Sequence, residues 1–314
     1  MSSEEKNQNK KTKTEVIAFV SHEQAKKHQF IASDFVHLHN HTTYSVLDGL
    51  TQIDGLVSQT KKFGMDMVAV TDHGTVGGCL TFYKKAKAAG IKPILGIETY
   101  VAARGHRDRD PAKDKQRFHL TLLAMNNTGW HNIIRLSSIA NLDGMYYKPR
   151  IDHDLLKQYN EGIIVLSGCA SSEVAVAIKN DDYDKARQIA SWYHDLLGDR
   201  YYLEMQDHGH PKSNTHWDQQ AKVNDGLRKI AAELNIPLVV TCDGHYLKHE
   251  DQAAHEILLC IGTGSFLSDK DRMSLSDFEL HLTDPKDIID HWADDCPEAI
   301  LNTRLIAERC KVDI

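Results

Sequence analysis

Residues 35–45 read FVHLHNHTTYS and carry histidines at every second position, His37, His39 and His41. Side chains at i, i+2 and i+4 of a strand share one face, so imidazoles fixed in this way are half of a metal site. The same spacing returns as Asp243 and His245 in LVVTCDGHYL (238–247), directly after an apolar run of strand type. Two remote strand ends with aligned metal-competent side chains point to one shared site.

Working outward, short runs rich in Val, Ile, Leu and Thr recur at 35–39, 67–71, 93–101, 118–125, 162–168, 201–205 and 237–241. Between them lie amphipathic helical patterns at 52–63, 76–89, 129–140, 171–179, 183–197 and 219–235. Near-continuous apolar strands alternating with helices predict an α/β fold with a parallel sheet covered on both faces. Seven such units favour a closed or nearly closed βα barrel over an open sheet, a choice the count alone leaves open. The polar residues sharpen it: His39, His41, Asp72, His73, Glu98, His119, Cys169, Asp243 and His245 lie at or near the strands, mostly toward their carboxyl ends. That is the face on which barrels of this kind build active sites. An open doubly wound sheet would gather its loops at one switch point, and no GxGxxG turn follows the first strand.

The chain of 314 residues, 41% hydrophobic and 26% charged, is long enough to bury a full core. Its six cysteines show no CxxC pair, and no stretch approaches the roughly 18 apolar residues of a membrane span, which reads as a reducing, cytoplasmic setting without membrane. The amino terminus, MSSEEKNQNKKTKTE, has lysines but no apolar signal core, so residues 1–33 are expected to be a flexible extension. A net charge of −7 argues at first against nucleic acid. Bound cations would reverse that locally: three carboxylates and a thiolate holding three divalent ions would sit near about +2.

After residue 246 the pattern changes to a helix at 248–260, a Gly- and Ser-containing loop at 263–277, a short strand FELHLT at 278–283, and two helices starting at Asp284-Pro285 and Asp295-Cys296-Pro297. The barrel domain is expected over 34–283. Residues 284–314 read as the helical start of a following region, cut short.

Each candidate ligand has a plainer reading. A lone histidine near a strand end is usually structural, and of the 19 histidines fourteen read that way, including His208, His210, His216, His249, His255 and His291. Cys169 alone could be a buried small hydrophobe, and no positioned base or oxyanion hole marks it as a nucleophile. The GTVGG turn at 74–78 lacks the GK[ST] ending of a phosphate loop and reads as a glycine-permitted turn. His37 lies one step deeper than His39 and His41 and is expected, with Asp72, to support the ligands.

With HLHNHTTYSVLDG (37–49), VTDHG (70–74), GIKPILGIE (90–98), HLTLLAMNNTGW (119–130), YYKPRID (146–152), LSGC (166–169) and DGHY (243–246) in order, the chain resembles the PHP (polymerase and histidinol phosphatase) domain of the bacterial DNA polymerase III alpha subunit. The likeness runs from about Asp34 to the carboxyl end and includes HEILLCIGTGSFLSD (255–269), which resembles the passage from this domain toward the palm. It implies a distorted seven-stranded (βα)7 barrel holding up to three divalent metals. The implied ligands are His39, His41, Asp48, His73, Glu98, His119, Cys169, Asp243 and His245. Of these, His39, His41, Glu98 and Asp243 would hold one ion and Asp48, His73 and His245 a second. Glu98 would bridge to a third, held with His119 and Cys169. The family often shows TND where this chain has Thr241-Cys242-Asp243, a departure that keeps Asp243 and His245.

Imidazole, carboxylate and one thiolate suit zinc, manganese or iron better than magnesium or calcium. The expected reaction is hydrolysis of the terminal phosphodiester at a DNA 3′ end by water that the metals acidify, with no side-chain nucleophile required. The expected partners are the primer 3′ end and, through a full-length alpha subunit, other replicase subunits. The palm carboxylates would lie beyond residue 314, so this chain alone is not expected to extend a primer. Two other readings share the barrel: a phosphatase of the histidinol phosphate type, and a scaffold that docks a separate proofreading subunit.

Overall fold

The structure, a computed structural model, describes residues 20–209 and 217–314. Its strands are β1 (Met67–Val70), β2 (Lys92–Ala102), β3 (Arg117–Ala124), β4 (Met145–Tyr146), β5 (Lys148–Ile151), β6 (Ile163–Leu166), β7 (Tyr201–Gln206) and β8 (Leu238–Thr241). Six of them follow one another around a curled sheet: β1 runs parallel to β2, β2 antiparallel to β3, β3 antiparallel to β6, and β6, β7 and β8 run parallel. The histidine-bearing segment 36–41 closes the seam. Ala69 N donates to His37 O at 2.9 Å on one side, and His41 N donates to Gly244 O at 2.7 Å on the other. The result is the distorted seven-stranded α/β barrel that the sequence predicts.

One strand runs against expectation. Direction is not encoded in an apolar run, and β3 is antiparallel to both neighbours rather than parallel. Its connection from β2, residues 103–116, contains no helix that could carry the chain back across the sheet. The reversal puts the start of β3, and therefore His119, at the rim where the other strands end. The hairpin of β4 and β5 extends β2 outward through Tyr100 and Val101, which pair with Arg150 and Ile151.

Alternation along the strands sorts the core into two parts. Met67, Ala69, Ile94, Leu123, Ile164, Leu166, Tyr202 and Val239 form a cluster inside the barrel together with Ile306, Ala307 and Cys310. Val68, Val70, Leu95, Ile97, Leu122, Val165, Leu203 and Val240 pack outward into the larger helix-covered cluster. Burying each such side chain contributes about 1.5–3 kcal/mol. The helices begin where the sequence offers caps: Asn126, Asp152, Ser172, Asp182 and Asp284 each accept a backbone N–H of the first turn. Gly74, at φ +65°, turns the chain after β1 and donates to Glu98 O at 2.8 Å, the tight-turn role expected of GTVGG.

The carboxyl-terminal helices Pro285–Trp292 and Pro297–Arg309, read from sequence as the opening of a following region, pack on the barrel and supply Ile288, Trp292, Ala299 and Ile300 to its outer core. Asn302 donates to Leu238 O at 2.7 Å and Val36 N donates to Thr303 Oγ1 at 2.9 Å, tying the last helix to β8 and to the first barrel segment. FELHLT, expected as a strand, is reduced to a single bridge between Tyr246 and His281. The helix expected over 248–260 spans Gln252–Thr263. Of the extension read as flexible, residues 1–19 lie outside the described residues, as do His210 and His216. Residues 20–33 include the capped helix His22–Ala25, whose His22 pairs with Glu298 at 2.8 Å. All six cysteines are buried and unpaired. Among the described residues no helix is long and apolar enough to cross a membrane.

Candidate metal centre

The strand ends converge on Glu98. From the inward face of β2 its Oε1 lies 3.4 Å from His39 Nε2 and 3.0 Å from His119 Nδ1, while its Oε2 lies 3.6 Å from His41 Nε2 and 2.6 Å from His73 Nδ1. Asp243 Oδ1 stands 3.3 Å from His39 Nε2 and 3.0 Å from His41 Nε2. Asp48 Oδ2 is 3.3 Å from His73 Nε2, and Cys169 Sγ is 3.4 Å from His119 Nδ1. The His245 ring lies 4.3 Å from that of His41, centroid to centroid. All nine residues implied as ligands are therefore brought to one rim.

Among the described residues, three overlapping triads have ligand atoms within 4.8 Å of one another: His39, His41 and Asp243; His41, His73 and His245; and His73, Glu98 and His119. Nε2 of His39, Nε2 of His41 and Oδ1 of Asp243 are buried and close together, yet off any hydrogen-bonding line. Buried polar atoms left in this state are costly. Facing a common point at separations near 3 Å is what donors about 2.1 Å from a shared ion require. The donor set of imidazoles, carboxylates and a thiol suits divalent cations, so the cluster can hold divalent metal ions. Asp243 is also one of few non-glycine residues at positive φ (51°), a sparsely populated conformation that turns its carboxylate into the cluster.

A second layer aims the imidazoles. Glu204, buried inside β7, places Oε1 2.6 Å from His39 Nδ1 and accepts hydrogen bonds from Thr241 Oγ1 at 2.6 Å and Gly168 N at 3.0 Å. Asp72 accepts from Ser45 Oγ at 2.8 Å and from Thr42 N, and Ser45 Oγ in turn lies 3.0 Å from His41 Nδ1. Asp72 thus reaches His41 through Ser45. His37 differs: its Nε2 meets Thr283 O at 2.9 Å and its ring packs on Phe35, so it ties down the carboxyl-terminal segment instead. His255, read as structural, holds Asp48 O at 2.8 Å. Glu204 is the residue the sequence reading missed. Its signal is a lone carboxylate in YYLEM at the same parity as the inward Tyr202.

Carboxylates and imidazoles shift one another strongly in this buried cluster. Burial would raise the pKa values of Glu98 and Asp243, but the surrounding histidines hold both well below the carboxylate range. Burial and the neighbouring His73 and His245 push His41 down to about 3. At His73 burial is outweighed by Glu98 and Asp48, which lift it to about 10. Burial, then Glu98 and Asp243, drive the Cys169 thiol well up. A divalent cation beside Cys169 would oppose that field and favour the thiolate.

A family model described as the PHP domain matches residues 37–208. The chain is similar to the DNA polymerase III subunit alpha of Borreliella burgdorferi, 40% identical over 279 residues that are 88% of this chain and 24% of the relative. The Treponema pallidum subunit is 42% identical over 89% of this chain and 23% of its own length, and that of Thermus aquaticus 40% over 89% and 23%. The chain spans about a quarter of the length of these relatives.

Proposed function

The chain belongs to the PHP domain family, and from that premise we propose that it is the amino-terminal part of a DNA polymerase III alpha subunit acting as a metal-dependent 3′–5′ exonuclease. The observation that carries the reading is the convergence of eight other donor residues on the rim that holds Glu98, with buried Nε2 of His39, Nε2 of His41 and Oδ1 of Asp243 close together. The fuller proposal is up to three zinc, manganese or iron ions, with His39, His41, Asp243 and Glu98 around one, Asp48, His73 and His245 around a second, and Glu98, His119 and Cys169 around a third.

Divalent ions in such a site acidify water and neutralise charge on a phosphate under attack. The chain's part is placement. Glu204 keeps Nδ1 of His39 occupied so that Nε2 faces inward, and Asp72 acts on His41 in the same way through Ser45. Glu98 spans the triads and so couples their positions. No side-chain nucleophile is needed. The substrate is a DNA primer 3′ end in the cytoplasm, and the partners are other replicase subunits reached through the rest of the alpha subunit. Polymerisation would require palm carboxylates outside this chain.

The test is a 5′-labelled primer incubated with the manganese- or zinc-loaded chain. Products shortened stepwise from the 3′ end are expected. An untouched primer alongside phosphate release from phosphomonoesters would favour the phosphatase reading, and no hydrolysis of either the scaffold.

A further inference from the structure

Two cations beside the cluster, Lys148 and Arg117, form no salt bridge among the described residues. Lys148 is half-buried, its ammonium 5.5 Å from the centroid of the Tyr100 ring, and among the described residues it makes no salt bridge or hydrogen bond. Arg117 is half-buried as well, and among the described residues its guanidinium makes one hydrogen bond, to Lys115 O at 3.1 Å. Tyr100 connects the lysine to the centre: its ring lies 5.9 Å from that of His73 and 5.1 Å from that of His119. Arg117 shares the inward face of β3 with His119, one step further out, opposite Ala102.

The lysine is held by a built support. Pro149 approaches Gly74 so closely that a Cβ there would lie 2.6 Å from its Cγ, which presses the β5 turn against the residue after His73. The fully buried guanidinium of Arg150 donates to the carbonyls of His106, Asp108, Asp114 and Gly144 and fixes the other side of that turn. A lysine over a tyrosine ring gains little at an exposed site, so such bracing of a cation without a salt bridge beside a metal-type cluster calls for an anion. Burial lowers the Lys148 pKa, Asp48 raises it, and Arg117 lowers it further.

We propose that Lys148 and Arg117, framing Tyr100, form a phosphate grip that seats the phosphate of the terminal nucleotide beside the metal centre. The proposal rests on the phosphodiester reading above and adds the residues that recognise the substrate. A compact ammonium neutralises one phosphate oxygen as a point charge, and a guanidinium fork can take two.

The experiment is calorimetric titration of the manganese-loaded chain with thymidine 5′-monophosphate and, as a control, thymidine, with metal content measured on the same samples. The expected result is a loss of at least tenfold in nucleotide affinity for Lys148→Gln and for Arg117→Gln, partial recovery in Lys148→Arg, unchanged weak binding of thymidine, and unchanged metal content. Equal nucleotide affinity in Lys148→Gln would overturn the proposal, as would a parallel loss of metal, which would make the lysine a support of the cluster. If the wild-type chain fails to cut DNA but binds the nucleotide through Lys148, the exonuclease reading falls and the grip stands.

Discussion

Oε1 of Glu204 lies 2.6 Å from Nδ1 of His39, joining the middle of β7 to the closing segment of the barrel. The contact fixes the tautomer of the imidazole and raises its basicity toward a metal on the other nitrogen. Glu204→Gln keeps the volume and one acceptor but removes the charge. We expect a fall in metal affinity of about 10–100-fold with the fold retained, read by competition with a chromophoric chelator. Unchanged affinity would show that Glu204 serves the barrel alone.

Asp243→Asn tests the carboxylate itself. Asparagine tolerates the left-handed backbone that position 243 adopts, so the barrel should keep its circular dichroism spectrum while 3′-end cleavage is abolished. Full activity in that variant would remove Asp243 from the mechanism.

Arg150 tests the support of the β5 turn. Its side chain is buried and donates to four backbone carbonyls, at 2.7 to 3.2 Å. Arg150→Met would remove the side-chain donor from all four and leave the carbonyls of His106, Asp108 and Asp114 without it, at a cost of about 3 kcal/mol or more. Urea unfolding should show a lowered midpoint, and an unchanged midpoint would mean that water replaces the guanidinium at no cost.

The His291–Asp207 pair, 2.7 Å apart and partly exposed, carries a pH signature. The hydrogen bond that the His291 ring donates to Asp207 raises the His291 pKa above its ordinary value. A raised histidine contributes stability that is fully present below its unfolded pKa of about 6.5 and lost as pH rises through the folded value. Melting temperatures of wild type and His291→Gln should therefore differ most in mild acid and converge in alkali. A difference that grows with pH would reverse the assignment.

The sequence carried the strands and the ligands unevenly. Apolar runs located every barrel strand, and the paired spacing of His39 with His41 and of Asp243 with His245 located the two strand ends on which the site is built. The direction of β3 was hidden, because an apolar run reads alike both ways; the missing helix between 101 and 118 was the available clue. Glu204 was hidden because one carboxylate in a strand resembles a solvated edge residue until its partners His39 and Thr241 arrive from other segments. His37 shared the spacing of its neighbours, yet a carbonyl at Thr283, distant in sequence, decided where its ring went.

The central claim is that one rim of this barrel is a cation site, and metal content tests it most directly. Plasma mass spectrometry of the chain purified without chelators should find two to three zinc, manganese or iron ions per chain, and fewer in Asp243→Asn. A metal content near zero in the wild-type chain, not restored by dialysis against any of the three, would contradict the account.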